Sequence, residues 1–349
     1  MAVTADRKKN TIAHIALQAG VSRATVSRVL TNSTKVTPET YRKVMDVVES
    51  VNYVPNIMAR GLATGKLNIV GLMIDLGNPF FSELMLSIGA ELQKNGYLVT
   101  VLQPETDADA CPYKRAVTFG YSGLIVVDPP DNRQIRLLFQ QAELPVVLLN
   151  KNAASYEGCD RISIHNFMGG YLATQTLLKL GHRHIAMLRG PLSSTASSDR
   201  CAGYRRALEE AGVEWDEEIV DVGTFSIECG QSFGERILKT RPDVTAIFGG
   251  NDYMVIGELN SCKQLGVEVP RRLSVVGIYS SPMTGSAILN LSCIKQPYGI
   301  MGKRAVEMLL DRVQNPERES EQVVLTPELI RGATIGEPAD SREPRAQLR

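Results

Sequence analysis

The chain has 349 residues, 44% of them hydrophobic and 22% charged, and its 38 Lys and Arg balance 38 Asp and Glu. That composition fits a soluble globular protein of two or three domains, and no apolar run reaches the roughly 18 residues that a membrane span needs. The charge is unevenly spread: residues 1–66 carry ten Lys/Arg against four acids, so the remainder holds a matching acidic excess, the pattern of a segment that meets a polyanion.

In chain order, the first helical pattern begins at Thr11, with Ile12, Ile15, Ala16 and Ala19 on one face, Thr11 able to cap it and Gly20 breaking it. Ser22 can cap a second helix that turns Val26, Val29 and Leu30 inward. Thr37-Pro38 opens a third, with a capping hydroxyl followed by Pro at the first helical position and a buried stripe of Val44, Val47, Val48 and Val51. Three short helices, the first two joined by a Gly-containing turn, form a helix-turn-helix unit. Residues 57–66, IMARGLATGK, are small and basic and read as a linker.

From Leu67 the period changes. Short apolar runs at 69–74, 98–102, 123–127, 145–149, 185–188, 245–248 and 274–278 alternate with helical stretches at 81–95, 167–180, 200–211, 228–239 and 254–265. Nearly continuous apolar strands between amphipathic helices predict parallel sheets covered on both faces, arranged as two doubly wound lobes. Such sheets bind ligands outside the carboxyl ends of their strands. The polar, Pro-containing stretch from Glu337 reads as disordered.

The second helix, SRATVSRVL, leaves Arg23, Ala24, Ser27 and Arg28 on its outer face. The Arg fork matches guanine O6 and N7, and a methyl group suits thymine. The stretch TIAHIALQAGVSRATVSRVL, with YVPN downstream, resembles the headpiece of the lactose-repressor/galactose-repressor (LacI/GalR) family of bacterial transcription factors. The likeness continues through NPFF (78–81), LGHRHIAML (180–188), RCAGYRRAL (200–208), GGNDYMVIGEL (249–259), VPRRLSVVG (269–277), KQP (295–297) and LTPELIRGATI (325–335), nearly the whole chain.

The resemblance implies an α/β chain: an all-α helix-turn-helix headpiece at 1–56, a hinge helix or linker at 57–66, and a two-lobed domain of periplasmic-binding-protein type at 67–336. Its N-lobe would span about 67–165 and 296–325, its C-lobe about 166–295 and 326–336, with a disordered tail at 337–349. It implies a transcriptional regulator, by family habit a repressor of a carbohydrate-utilisation operon. A homodimer would bind a near-palindromic operator, one recognition helix per subunit in successive major grooves. Arg23, Ala24 and Arg28 match the base-reading positions. Thr11, Ser22, Asn32, Thr37, Tyr53 and Asn56 match phosphate contacts, where capping is a compatible second role. Ala59, Arg60 and Leu62 match a minor-groove hinge in which the Leu wedges into a base step. Gly61 beside it weakens helix formation off DNA by about 1 kcal/mol.

For the lobes, the matching effector positions are Phe80, Phe81, Asn150, Arg200, Phe225, Asn251, Tyr279 and Gln296. Aromatic faces pack on sugar C–H surfaces, and Asn and Gln both donate and accept. After VVG the family usually reads Phe-Asp, whereas this chain reads Ile278-Tyr279. With that acid gone, Arg200 would be free to engage an anion, which tilts the expected effector from a neutral hexose toward a sugar acid or sugar phosphate, or toward a smaller, less hydroxylated ligand. The tail after Ile335 has one Leu (Leu348) and no heptad, so a dimer rather than a tetramer is expected.

Other classes fit less well. The six cysteines (Cys111, Cys159, Cys201, Cys229, Cys262, Cys293) form no Cys-x-x-Cys pair, and His182 and His184 have no acidic or Cys cluster beside them. No metal or cofactor is therefore expected. The basic start MAVTADRKKN runs into no apolar signal segment, which disfavours a secreted solute-binding protein and favours the cytoplasm. An enzyme would need a nucleophile–base pairing or cofactor fingerprint, and none is legible.

Overall fold

The computed structural model describes residues 11–30, 36–53, 68–77, 81–104, 111–150, 156, 158–279 and 289–339, with Tyr279 described by its backbone only. It divides into two compact units, Met1–Leu67 and Asn68–Arg349. The expected hinge at 57–66 and residues 340–349 of the tail lie outside the described residues.

In the first unit, α1 (Ile12–Ala19) starts where Thr11 Oγ1 accepts the His14 N–H. It stops at Gly20, whose left-handed φ of 65° turns the chain back so that its N–H donates to the Ala16 and Leu17 carbonyls. Ser22 Oγ accepts the Thr25 N–H at 3.0 Å and opens α2 (Arg23–Leu30). Thr37 caps α3 (Pro38–Ser50), with Pro at the first position where its missing N–H is not needed. Ile15, Ala16, Val26, Val29, Val44 and Val48, two from each helix, make the core.

The second unit holds two sheets. The N-lobe strands are β1 (Ile69–Met73), β2 (Leu98–Leu102), β3 (Gly123–Val127), β4 (Val146–Leu149), β5 (Asp160–Ile164) and β11 (Gln322–Leu325), in the order β11-β5-β4-β3-β1-β2. All its pairings are parallel. The C-lobe strands are β6 (Ile185–Arg189), β7 (Val220–Val222), β8 (Ala246–Gly249), β9 (Ser274–Tyr279), β10 (Ser292–Lys295) and β12 (Glu328–Ile330), in the order β12-β10-β9-β8-β6-β7. Only β12 runs antiparallel there. The N-lobe helices are α4 (Ser82–Lys94), α5 (Cys111–Thr118), α6 (Arg133–Gln140) and α11 (Tyr298–Gln314). The C-lobe helices are α7 (Asn166–Lys179), α8 (Thr195–Glu210), α9 (Ile227–Thr240) and α10 (Asp252–Gln264).

Successive strand residues feed opposite cores. Ile185 and Met187 face the layer of α7 and α8, while Ala186 and Leu188 face that of α9 and α10. This is the two-sided burial that continuous apolar strands require. The exceptions are the edge strands β2, β7, β11 and β12, with Leu98, Val99 and Val101 of β2 exposed. The expectation of cover on both faces fails there because an edge strand has only one neighbour. The C-lobe helices pack in pairs closer than side chains allow: a Cβ on Gly170 would meet the Arg200 carbonyl oxygen at 1.9 Å, and one on Gly203 that of Phe167 at 2.0 Å.

The chain passes from the N-lobe to the C-lobe after β5 at His165, returns at Gln296-Pro297, and passes over again at Thr326-Pro327. Each passage leaves a strand at its carboxyl end. The carboxyl edges of both sheets therefore border one junction, and the cleft between the lobes opens there.

Candidate nucleic-acid interface and ligand cleft

On α2, Val26 and Val29 are buried, and Arg23, Ala24, Ser27 and Arg28 are exposed on the opposite side. The helix thus carries two long cations and a methyl on one exposed face. Thr11, Ser22 and Thr37 are exposed, and the oxygen of each accepts a helix-opening N–H. The Ser22 hydroxyl also meets Thr25 Oγ1 at 2.8 Å, and Thr37 meets Thr40 Oγ1 at 2.9 Å. Tyr53 is half-buried against the headpiece core, and burial raises its phenol pKa. Asn32, Asn56, Ala59, Arg60 and Leu62 lie outside the described residues.

In the cleft, Arg200 projects from α8 and is buried. Its Nε donates to Asn166 Oδ1 at 3.0 Å and its Nη1 to the Gly250 carbonyl at 2.9 Å. Two of its three nitrogens therefore brace the start of α7 and the end of β8. Burial lowers its pKa, while Tyr298, Asp252 and Asp199 act in the opposite sense. An unopposed guanidinium was expected from the missing acid at 279. That premise does not hold here, because α8 and α10 bring Asp199 and Asp252 within electrostatic reach.

Asn251 is buried and fully engaged: its Oδ1 caps α10 through the Met254 N–H at 3.0 Å, and its Nδ2 donates to the Phe225 carbonyl at 3.3 Å. It holds the 225 turn, where Phe225 adopts a φ of 59° and lays its ring over Gly190. Only glycine at 190 leaves room, since a Cβ there would come within 2.0 Å of the ring. Phe81 is buried in the N-lobe core and meets Tyr298 edge-on at 6.2 Å. Asn150 ends β4 with a φ of 61°, and its side chain hydrogen-bonds the Tyr298 phenol. Gln296 is 1% exposed, and neither Oε1 nor Nε2 has a hydrogen-bond partner. Buried amides without partners are rare, and in a cleft they mark where another molecule's polar groups belong. Phe80 and the Tyr279 side chain lie outside the described residues.

Two cleft residues were not read from the sequence. Tyr298 opens α11 two positions after Gln296 and is buried, its pKa raised by that burial. Asp128 follows β3 with a φ of 49° and is exposed. A polar residue directly after an apolar strand and before Pro129-Pro130 was the available signal. A separate cavity of about 340 Å³ lies at the other end of the N-lobe strands, beside Asp160 and Arg312. Asp160 is saturated there by Arg312, by Arg318 at 2.7 Å and by the Glu321 N–H at 2.8 Å, a structural arrangement. Among the described residues no group of three His, Cys, Asp or Glu could hold a metal, and no helix is long and apolar enough to cross a membrane.

A basic helix-turn-helix unit followed by a two-lobed, parallel-sheet binding fold defines a transcriptional regulator by class. Residues 11–56 match the family described as "Bacterial regulatory proteins, lacI family", and residues 174–335 match the "Periplasmic binding protein-like domain". The chain is 30% identical over 337 residues to the HTH-type transcriptional regulator CelR of Thermobifida fusca, covering 93% of this chain and 98% of that one. Its fold is similar to the lac repressor dimer bound to operator and the anti-inducer ONPF, with a TM-score of 0.81, 27% identity, and 93% and 99% of the two chains covered. It is also similar to a CelR–cellobiose complex, with a TM-score of 0.70, 28% identity and the same coverage. The chain belongs to the LacI family of bacterial regulatory proteins, and it is a transcriptional regulator, not an enzyme.

Proposed function

We propose that this regulator is a repressor that binds a near-palindromic operator as a homodimer and answers to a small carbohydrate-derived effector in the cleft between its lobes. The observation that carries the DNA reading is the outward set Arg23, Ala24 and Arg28 on a helix whose other face is buried. Laid in a major groove, this face reads base edges, and the helix-opening residues Thr11, Ser22 and Thr37, with Tyr53 and the further positions Asn32 and Asn56, meet the flanking phosphates. In this reading residues 1–56 form the headpiece. Residues 57–66 form a hinge that sets Ala59, Arg60 and Leu62 against the minor groove, and residues 67–336 form the sensor.

Self-association is supported by the uncovered β2 edge and by Leu86 on α4, 70% exposed. Apolar patches of this kind on a soluble chain mark protein contacts. A carbohydrate effector is supported by the unpartnered Gln296 amide, by Phe81, Phe225 and Tyr298 as apolar walls, and by the relative solved with cellobiose. No cofactor enters this function, and the partners are operator DNA, effector and a second copy.

A mobility-shift assay with genomic fragments across a salt series tests the DNA reading. A sequence-selective shift that weakens steeply with salt is expected, since neutralising phosphates releases counterions. A solute receptor would give no selective shift at any salt concentration.

A further inference from the structure

After β12 the chain is pinned to the C-lobe residue by residue. Thr334 Oγ1 donates to the Val275 carbonyl at 2.7 Å, and the Gly336 N–H donates to Ser274 Oγ at 3.0 Å. The Gly336 carbonyl accepts from His182 Nε2 at 2.9 Å. The Pro338 ring then lies against Gly181, where a Cβ would meet it at 3.6 Å. Residues 340–349 therefore start from a fixed point, two residues past Pro338 and beside the end of α7 at Lys179.

A groove of about 330 Å³ lies between α7 and α8, and Leu178, Lys179 and Arg183 bring it next to that point. Its floor is apolar, with Leu178 and Ala207 buried. Lys179 and Arg183 are exposed at its rim. Lys179 Nζ donates to Gln175 Oε1 at 2.9 Å, and Arg183 Nη1 donates to the His182 carbonyl at 2.9 Å. Both partners are uncharged, and among the described residues neither cation joins an ion pair. Glu210 lines the groove from α8, held by the Tyr171 phenol at 2.6 Å and Arg206 Nε at 2.8 Å. We propose that the occupant of this groove is the chain's own segment 340–349. Its sequence, DSREPRAQLR, brings Asp340 and Glu343 first, to meet Lys179 and Arg183. Arg345 then has Glu210 as its counter-charge, and Leu348 has the Leu178–Ala207 floor. Ten extended residues reach about 33 Å, while α7 from Tyr171 to Lys179 is about 12 Å long at 1.5 Å per residue. A segment tethered this close is present at roughly millimolar effective concentration, so modest contacts hold it. Docking replaces, for residues 340–349, the disorder expected from their polarity.

The test is amide hydrogen exchange on the full chain, with the free peptide DSREPRAQLR as the reference. In the wild type the amides of residues 341–349 should exchange roughly 10-fold more slowly than in the peptide, at every protein concentration. Two variants carry the assignment to the groove. Ala211→Phe fills it from an exposed position at the end of α8, and Lys179→Glu reverses a rim charge that is also exposed. Ala211→Phe should return the segment to the peptide rate, and Lys179→Glu should bring it closer to that rate. Unchanged exchange in β6 and β8 in both variants would show that the C-lobe is folded. Exchange at the peptide rate in the wild type would overturn the proposal. So would slow exchange that survives both variants, since the segment would then be held elsewhere. Slow exchange that appears only as protein concentration rises would overturn it too, because the occupant would be the segment of a second copy.

Discussion

Arg28 lies on the outer face of α2 one residue before buried Val29, so its guanidinium and the headpiece core share one helical turn. Replacing it with Ala should cost roughly 1–3 kcal/mol per contact and relax preference at one base pair in each half-site. The check is anisotropy titration against a panel of single-base operator variants. Equal loss on every sequence would make Arg28 a phosphate contact. A second residue-scale prediction concerns Glu258 on α10, which is fully buried with neither carboxyl oxygen hydrogen-bonded. Desolvation holds its pKa well above the usual carboxylate range. The folded state then keeps a proton that the unfolded state loses above its ordinary pKa. The stability tied to this group is full in acid and falls as pH rises past about 4.5, by about 1.4 kcal/mol per pKa unit of difference. Glu258→Gln mimics the protonated form, so urea unfolding should find it more stable than wild type at pH 8, with the gap shrinking toward pH 5. A gap that does not change with pH would show that Glu258 is not buried neutral.

At the scale of elements, α7 and α8 touch through Gly170 and Gly203, where any Cβ would strike backbone. Gly203→Ala should cost at least about 2 kcal/mol, because neither helix can yield without moving the strands beneath it. Calorimetry would read this as a lowered Tm, and an unchanged Tm would mean the pair has slack. The elements also mark what could be read from the chain beforehand. The three headpiece helices declared themselves through caps, since Thr11, Ser22 and Thr37 each sit where an N–H needs an oxygen. The alternating strands and helices of the lobes were legible for most elements as far as β9, but β5 and β7 were not read. Strands β10, β11 and β12 were not read either, because SCIK, QVVL and ELI are short, and β11 pairs with β5, more than a hundred residues earlier in the chain. Helices α5, α6 and α11 also went unread, and α11 opens at Pro297 with no side-chain cap to announce it. In the cleft, family motifs pointed to Arg200, Asn251 and Gln296 but not to how they are used. That Asn251 and most of Arg200 serve the fold, and that Asp199 and Asp252 crowd the guanidinium, depends on packing between α8, α10 and the end of β8.

For the whole molecule, the two-fold reading requires that the β2 edge be covered in solution. Leu98, at 51% exposure, and Val101, at 38%, are exposed on that strand, and Leu86 is exposed on α4. A charged residue at such a contact leaves a buried, unpaired charge, so Val101→Lys should shift sedimentation from dimer to monomer while leaving the monomer folded. A dimer that persists would place the contact elsewhere on the chain. A monomer should bind operator far more weakly, since each subunit then holds one half-site without the linked gain of the second.

Selection of bound duplexes from a random-sequence pool tests the central claim most directly, because it needs neither the operator nor the effector in advance. The wild-type chain should enrich one near-palindromic site, with half-sites about 10 base pairs apart centre to centre as two recognition helices on a two-fold axis require. The same selection with Arg28→Ala should keep the symmetry and lose the preference at one position per half-site. A pool that stays random, or enriches a site with no two-fold symmetry, would contradict a dimer that reads DNA through Arg23, Ala24 and Arg28.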